Sequence, residues 1–311
     1  MNISRHNAHA VWIVTVVLLF GACGVSLPPI RFAPPGTDLT KLRAEFPLTD
    51  AERQSLTPQA FKAMTQDQVD QIYLRLASGP MPDGPFRGDL FFPRDRDGHA
   101  RIRDLADPNP APLVAHIAAL RAERLGRLFW KGKVFFRSQG ILRNRIEQLT
   151  LLKPFIEDAN NIPKLTFDGQ TTWLLFPALL SCGTSRLDST RPSVIVDYAR
   201  GSEVEGFRPV PDKLAGPEGL NIRDEVRIVR PGLYLGRAYF GQRFSLNFTL
   251  LDPAAASGPV TAATQENCDG SRAARQDSSV GNVDRLADHG DDPLAERGGV
   301  RETRRSGAGH R

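Results

Sequence analysis

The stretch IRDEVRIVRPGLYLGRAYFGQRFSLNFTLL, residues 222–251, decides the fold class. Two turn signals divide it: Pro231-Gly232, where proline takes the second position of a turn, and Gly241-Gln242. In the last segment, apolar residues occupy every second position and polar residues lie between them. This alternation is typical of an antiparallel strand that buries one face. The stretch therefore predicts three consecutive strands joined by tight turns.

Further runs with the character of strands precede this meander. Counted with it, nine strands are expected, at 86–92, 128–136, 141–151, 163–168, 172–180, 193–199, 222–230, 233–240 and 243–251. So many short antiparallel strands favour a closed or nearly closed barrel, with a two-sheet sandwich as the alternative. No strand–helix–strand repeat is visible, which argues against a doubly wound fold. Gly132 lies inside one run and predicts a bulge or a tight bend there.

Helical patterns come before and among the strands. Thr57 places a cap before Pro58 at the first helical position, and Thr65 with Gln68 has the spacing of a capping box. The first two helices are expected to be short and to pack on the core. The helices are expected at about 50–63, 66–78 and 111–124.

The N-terminus has the order of a bacterial export signal. Arg5 precedes the apolar run 11–22, which ends at Cys23. Residues 19–23, LFGAC, resemble the lipobox of bacterial lipoproteins, in which the cysteine is lipidated and becomes the new N-terminus. Phe20 stands where that pattern has a smaller aliphatic residue. We therefore expect export and lipidation at Cys23, with an ordinary cleaved signal or an uncleaved anchor as alternatives.

Composition divides the chain into four parts. The last aromatic residue is Phe248, and the chain beyond it is too poor in large apolar side chains to offset its ordering entropy. That tail is expected to be disordered, as a real linker or as a frameshifted segment. The parts are an export signal at 1–23, a proline-rich spacer at 24–47, a helix-capped β-barrel domain at 48–252 and the disordered tail at 253–311.

Charge and cysteine content exclude several classes of function. The formal net charge of +5 is spread through the chain without a compact basic block, so nucleic acid is not expected as a partner. The chain has neither metal-ligand spacings nor phosphate-binding glycine patterns, and no cofactor and no metal are expected. Cys182 lies in an apolar stretch and Cys268 in the tail. A buried free thiol is expected at Cys182, and a disulfide to Cys268 is the alternative.

Two short motifs link the first strands to a known group of domains. Residues 84–88, GPFRG, have the form G-x-F-x-G, and residues 130–135, WKGKVF, have the form W-x-G-K-x-F. In order and spacing, the chain from about 86 to 250 resembles small, poorly characterised bacterial lipocalin-like β-domains that begin with G-x-W-x-G and continue with W-x-G-K-x-F. Phe86 stands where those domains have tryptophan. The resemblance implies a lipocalin-like barrel, in which the first ring closes one end, and it implies no particular reaction.

Four residues are candidates for binding a ligand: Trp130, Lys133, Tyr234 and Tyr239. The tyrosines fall in the meander and suit a barrel wall with a polar tip, with core packing as the default explanation. Lys133 is expected either on the surface of its strand or as a charge at the mouth of a cavity. Asn144 is expected to be an ordinary strand or turn residue.

If the barrel is an enzyme, its chemistry would fall to residues at the rim: Asp197, Tyr198, Glu225 and Arg227. General acid–base catalysis would require burial and shifted pKa values for these groups. Arg223, Glu225 and Arg227 alternate along one strand and share a face. That face is expected to carry a cross-strand ionic ladder, with a polar cluster lining a cavity as the alternative.

Together these features predict an exported cell-envelope protein that is associated with the membrane through an N-terminal lipid or signal anchor. Its barrel is expected to bind a small apolar or amphiphilic ligand, because apolar barrel interiors suit such molecules. The alternatives are a lipocalin-like enzyme that acts through the rim residues and a structural envelope protein whose barrel is filled by side chains. An enzyme is the less favoured expectation.

Overall fold

The computed structural model describes residues 29–34, 36–99, 123–156, 158–257 and 268. The expected export signal with Cys23, most of the third expected helix and most of the expected tail lie outside the described residues. Among the residues that are described, no helix combines the length and the apolar character needed to cross a bilayer.

Nine antiparallel strands form the body of the structure. They are β1 (Gly84–Phe91), β2 (Trp130–Phe136), β3 (Ile141–Ile146), β4 (Lys164–Phe167), β5 (Gln170–Thr184), β6 (Pro192–Asp197), β7 (Ile222–Arg230), β8 (Leu233–Phe240) and β9 (Arg243–Leu251). Eight of them close a barrel, since β1 pairs with β9 and β3 pairs with β5, while β4 pairs only with the start of β5. This up-and-down order is the one that lipocalins use. The prediction of a closed antiparallel barrel is confirmed, and the sandwich alternative is wrong.

In the described residues before the barrel there are four short helices: α1 (Leu42–Glu45), α2 (Asp50–Ser55), α3 (Pro58–Ala63) and α4 (Gln66–Arg75). Capping boxes formed by Thr49 with Glu52 and by Thr65 with Gln68 begin α2 and α4. The helix expected at 50–63 is interrupted, because the Thr57 side chain caps the start of a new helix, α3.

Several strand boundaries differ from those that the sequence predicts, and two of these differences border helical segments. Residues 123–129 are helical, so the strand expected from 128 begins at Trp130. The strand expected to reach 151 ends at Ile146, and a 3-10 turn occupies Leu149–Phe155. This turn contains Pro154, which has no N–H to donate to a strand ladder.

Two glycines bring β1 and β2 close together. A Cβ atom at Gly88 would lie 2.5 Å from the Trp130 ring, and one at Gly132, whose φ is +120°, would collide with the carbonyl oxygen of Phe86. The pairing of β2 with β3 shifts register between Trp130 and Gly132, which confirms the predicted bulge. The bulge breaks the alternation of β2, and both Trp130 and Lys133 consequently face the barrel interior.

Aromatic side chains fill one end of the barrel. The Phe86 ring packs edge-on against Phe135 and Tyr234, with ring centroids 5.6 and 5.7 Å apart. Ala77 and Met81, from the segment between α4 and β1, belong to the same buried cluster. This end is therefore closed, as expected for the ring of the G-x-F-x-G strand.

Cys182 and Cys268 form a disulfide, with their Cα atoms 5.5 Å apart. The expectation of a free thiol at Cys182 is therefore wrong, and the alternative pairing is confirmed. Cys182 and Cys268 are both partly buried and pack against the cluster that contains Phe86. The tail is attached to the barrel at this point; of the tail's other residues only 253–257 are described.

Helices α3 and α4 cover the outer face of the meander. Phe61, Ile72 and Leu76 pack with Val229 and Leu235 in a second buried cluster. Full burial of such a side chain stabilises the fold by about 1.5–3 kcal/mol. The prediction that the N-terminal helices pack on the core is confirmed.

Candidate functional site

The end of the barrel opposite the Phe86 cluster contains a cavity of about 330 Å³. Its wall is mainly apolar, with Leu90, Leu246 and Phe248 among the inward-facing strand residues. Side chains from the helical residues 123–129, from the 3-10 turn at Leu149–Phe155 and from the loop before β7 cover its mouth. The barrel is therefore filled at one end and hollow at the other.

Four polar side chains form a cluster on the wall of this cavity: Lys133, Asn144, Tyr198 and Asp224. The Lys133 Nζ atom lies 2.9 Å from Asp224 Oδ2, 3.0 Å from Asn144 Oδ1 and 2.5 Å from Tyr198 Oη. Only 3% of the Lys133 side chain and 5% of the Asp224 side chain are accessible. The three N–H bonds of the ammonium thus have three acceptors inside this polar cluster.

Strand register brings the polar cluster together. Lys133 and Asn144 are partners across β2 and β3. Asp224 lies on β7 at the same parity as the inward-facing Val226, so its side chain also points inward. Tyr198 follows β6 directly, as the first residue of a 3-10 turn. Four elements, of which only β2 and β3 are close in sequence, therefore contribute one side chain each.

Aromatic rings surround the Lys133 ammonium. Its Nζ atom lies 5.5 Å from the ring centroid of Trp130, 5.2 Å from that of Tyr198 and 5.4 Å from that of Phe248. Cation–π attraction of this kind contributes about 2 kcal/mol at a site shielded from water. The rings hold the charge in one place while the rest of the wall stays apolar.

The orientation of the Asn144 amide follows from its neighbours. Trp130 Nε1 and Lys133 Nζ are donors only, and both donate to Asn144 Oδ1, at 2.9 and 3.0 Å. The Nδ2 group donates to Tyr198 Oη at 2.9 Å and to the carbonyl of Phe176 at 3.0 Å. That carbonyl is accessible because β5 bulges there, with a φ of +51° at Phe176 and a register shift against β3.

The loop before β7 is tied to the cavity wall through Asp212. Its carboxylate accepts a hydrogen bond from the N–H of Phe176 at 2.7 Å and another from the N–H of Arg208 at 2.8 Å. Burial raises the pKa of Asp212 above its usual value. Leu214 and Ala215, which follow in the chain, reach over the cavity.

Burial and close charges set the protonation states of the polar cluster. Burial raises the pKa of Tyr198 to about 12, so the phenol keeps its proton at neutral pH. Burial acts to lower the pKa of Lys133, but the carboxylate of Asp224 outweighs it and the pKa is raised. Burial raises the pKa of Asp224, and Lys133 opposes that shift. The 2.9 Å contact joins the two as an ion pair without net charge.

The structure separates the residues predicted to bind a ligand. Trp130 and Lys133 line the cavity, and the alternative of a surface position for Lys133 is wrong because β2 turns this side chain inward. Tyr234 lies in the filled end, where its hydroxyl donates to the carbonyl of Pro80 at 3.2 Å. Tyr239 lies outside the barrel and packs against Phe244.

The residues considered for catalysis are not brought together either. Of the four, only Tyr198 lines the cavity. Asp197 accepts a hydrogen bond from the N–H of Ala199, beside the start of the 3-10 turn. Glu225 and Arg227 lie on the outer face of β7, away from Asp224.

The shared face of Arg223, Glu225 and Arg227 is confirmed, but it is not an exposed ionic ladder. Glu225 and Arg227 are fully buried, because α4 and the loop 185–191 lie over β7. Glu225 accepts a hydrogen bond from Ser185 Oγ at 2.7 Å, and Arg227 donates to Asp188 Oδ2 at 3.1 Å. This face holds the helices and the loop on the barrel.

Sequence reasoning missed Asn144 and Asp224. The expectation of an ordinary strand residue at Asn144 does not describe its place on the cavity wall. A signal for Asp224 existed, since it shares the parity of the apolar Val226 and Ile228. An acidic residue on the apolar face of a strand indicates a buried charge with a partner.

Other surface features are less suited to a ligand. Asp95, Asp97 and His99 form the one group in the described part of the chain with metal-ligand spacing, and it lies on an accessible turn where Asp95 already accepts hydrogen bonds from two backbone N–H groups. A larger groove of about 600 Å³ lies between residues 33–42 and α4. There Gln71 holds the N-terminal segment through the N–H of Ala33. We therefore place the candidate site in the barrel cavity.

The chain matches no family model, no curated protein and no solved structure.

Proposed function

We propose that this protein is a cell-envelope β-barrel protein that binds a small apolar or amphiphilic ligand inside its barrel. One observation carries the proposal: a cavity of about 330 Å³ with an apolar wall and a single polar cluster. Ligand pockets typically have volumes of about 300–1,000 Å³, are lined by apolar side chains and contain a few polar groups that orient the ligand. The cavity lies at the small end of that range, which suits a small ligand.

The electrostatics of the cavity favour an uncharged ligand. The charges of Lys133 and Asp224 compensate each other at 2.9 Å, so the cavity has little net field. The hollow end also argues against a purely structural barrel that is filled by side chains. An enzyme of the same shape remains the second candidate, because Tyr198, Lys133 and Asp224 are titratable groups in contact inside a cavity.

The envelope part of the proposal rests on the N-terminal sequence. The apolar run 11–22 and the lipobox-like ending at Cys23 support export and lipidation, and the membrane is then the partner of the N-terminus. The disulfide between Cys182 and Cys268 supports the same location, since such bonds persist in oxidising compartments. A lipid anchor would hold the barrel close to a source of apolar ligands.

Ligand binding is tested with the neutral fluorescent probe N-phenyl-1-naphthylamine. Ala238 is a small residue on the cavity wall, and Ala238→Phe would fill the space with a ring. Ala63→Phe, at an exposed position of α3, adds the same side chain away from the cavity. We expect saturable fluorescence enhancement for the unaltered protein and for Ala63→Phe, and no enhancement for Ala238→Phe. The melting temperatures of all three proteins show whether each is folded. Absence of saturable binding in the unaltered protein, or equal binding by a folded Ala238→Phe, would contradict the proposal.

A further inference from the structure

The polar cluster has no hydrogen left to donate to a ligand. Lys133 directs its three N–H bonds at Asp224, Asn144 and Tyr198. The Trp130 N–H is taken by Asn144 Oδ1, and the Asn144 amide donates to Tyr198 and to a backbone carbonyl. The Tyr198 hydroxyl has Asn144 Oδ1 at 3.2 Å as its own acceptor. A ligand that only accepts hydrogen bonds would therefore have to displace one of these contacts.

One acceptor in the polar cluster is unused. Asp224 Oδ2 receives Lys133 at 2.9 Å and lies 3.4 Å from the Tyr198 hydroxyl. Among the residues that the structure describes, both donors that approach the carboxylate contact Oδ2, and no hydrogen bond to Asp224 Oδ1 is found. Asp224 lines the cavity with 5% of its side-chain surface accessible. A carboxylate oxygen that faces an apolar cavity has few donors around it, and a donor from a ligand would stabilise its charge.

We propose that the ligand of this cavity is an uncharged apolar alcohol, whose hydroxyl group donates a hydrogen bond to Asp224 Oδ1. The inference rests on the proposed binding function and specifies its ligand class. A fatty carboxylate is disfavoured, because its charge would lie beside that of Asp224 and Lys133 has no N–H to offer it. An alkylammonium is disfavoured as well, since it would lose its water beside the cation of Lys133. A hydroxyl group supplies the missing donor without adding charge.

The test uses ligands that share a ten-carbon chain and differ only at the polar end: 1-decanol, decyl methyl ether and decanoate. Each competes with N-phenyl-1-naphthylamine for the full-length protein. We expect 1-decanol to bind at least about tenfold more tightly than the ether, which accepts but does not donate, because a hydrogen bond to a charged group has that effect. Decanoate is expected to bind more weakly than the alcohol.

Two variants link the selectivity to Asp224. Asp224→Asn removes the carboxylate and leaves the charge of Lys133 uncompensated, so we expect the ratio of decanoate to decanol affinity to rise at least about tenfold. Glu225→Gln removes a carboxylate from the next residue, on the outer face of the barrel, and is expected to leave the ratio unchanged. If Asp224→Asn does not fold, the comparison of alcohol with ether in the unaltered protein still decides.

The possible results separate the two proposals. Equal affinity for alcohol and ether, tighter binding of decanoate, or a probe that binds while none of the three displaces it, would overturn the alcohol inference and leave ligand binding standing. Failure of the probe itself to bind would overturn the proposed function. A tenfold preference for alcohol that disappears in Asp224→Asn and persists in Glu225→Gln would support both.

Discussion

Lys133 and Asp224 place opposite charges inside an otherwise apolar barrel. Moving two charges out of water has a large free-energy cost, which their attraction and the surrounding hydrogen bonds must offset. Here the offset comes from the 2.9 Å ion pair, from Asn144 and Tyr198 as further acceptors, and from three aromatic rings around the ammonium. The polar cluster is therefore expected to be strongly coupled: each residue depends on the others for its place in the barrel.

Removal of one charge is expected to be more harmful than removal of both. Lys133→Met leaves the carboxylate of Asp224 buried without a counter-charge, and we expect it to lower the free energy of unfolding by about 3–5 kcal/mol. Lys133→Met combined with Asp224→Leu is expected to recover most of that loss. Denaturant-induced unfolding of the two variants measures both effects. The coupled pair would be contradicted if Lys133→Met were as stable as the unaltered protein. It would also be contradicted if the double variant were no more stable than Lys133→Met.

At the scale of single residues, the sequence predicts only part of the site. Trp130 and Lys133 were accessible to prediction because they belong to a recognisable motif. Whether both face inward depends on the bulge at Gly132, which shifts the parity of the strand and is fixed by contacts with β1. Asp224 and Asn144 become cluster residues only when β7 and β3 are placed opposite each other in a closed barrel. The parity of Asp224 indicates that its side chain is buried, but local spacing does not show which residues lie across the barrel from it.

At the scale of elements, the sequence predicts turns and helix caps best, because these depend on a few neighbouring residues. The turns at 231–232 and 241–242 and the caps at Thr57 and Thr65 all appear where expected. The strand expected over 141–151 ends at Ile146, because a 3-10 turn that contains Pro154 begins at Leu149, and Leu149 packs with Ile146 and Leu152. Local sequence patterns do not show such packing, so they did not distinguish the turn from a longer strand.

Helix α2 gives a prediction about pH. Burial acts to raise the pKa of Glu52, but hydrogen bonds from Arg31 and Thr49 outweigh it and lower the pKa from 4.5 to about 2. A lowered pKa means that folding favours the ionised form, so this contribution is complete above pH 4.5 and is lost as the pH falls towards about 2. We expect the stability advantage of the unaltered protein over Glu52→Gln to shrink across that interval. Unfolding free energies measured at several pH values provide the comparison.

The matched control for this prediction is Glu45→Gln on α1. Glu45 is exposed, so its replacement is expected to give a small stability difference that varies little with pH. If the stability advantage of the unaltered protein over Glu52→Gln stays constant as the pH falls, the hydrogen bonds to Glu52 do not lower its pKa.

At the scale of the whole molecule, the disulfide joins parts of the chain that no local pattern connects. It links β5 to residue 268 across a sequence separation of 86 residues, and this interval includes four strands of the barrel. Closing a long loop restricts the unfolded chain, and loss of such a bond typically costs about 2–5 kcal/mol. The sequence left this pairing open because the choice depends on where the tail meets the barrel. The bond also bears on the proposed location, because disulfides persist mainly in oxidising compartments.

Two N-terminal variants produced in a bacterial host are therefore expected to differ in the location of the protein and in the oxidation of Cys182 and Cys268. Cys23→Ala removes the proposed lipid attachment but keeps the signal, so we expect the protein to move from the membrane fraction to the soluble fraction with Cys182 and Cys268 still oxidised. Deletion of residues 2–23 removes the signal, and the same cysteines are then expected to be reduced in the cytosol. Cell fractionation combined with mass measurement after thiol alkylation reports both properties. Retention of Cys23→Ala in the membrane fraction would contradict lipidation, and full oxidation in the deletion variant would remove the support that the disulfide gives to export.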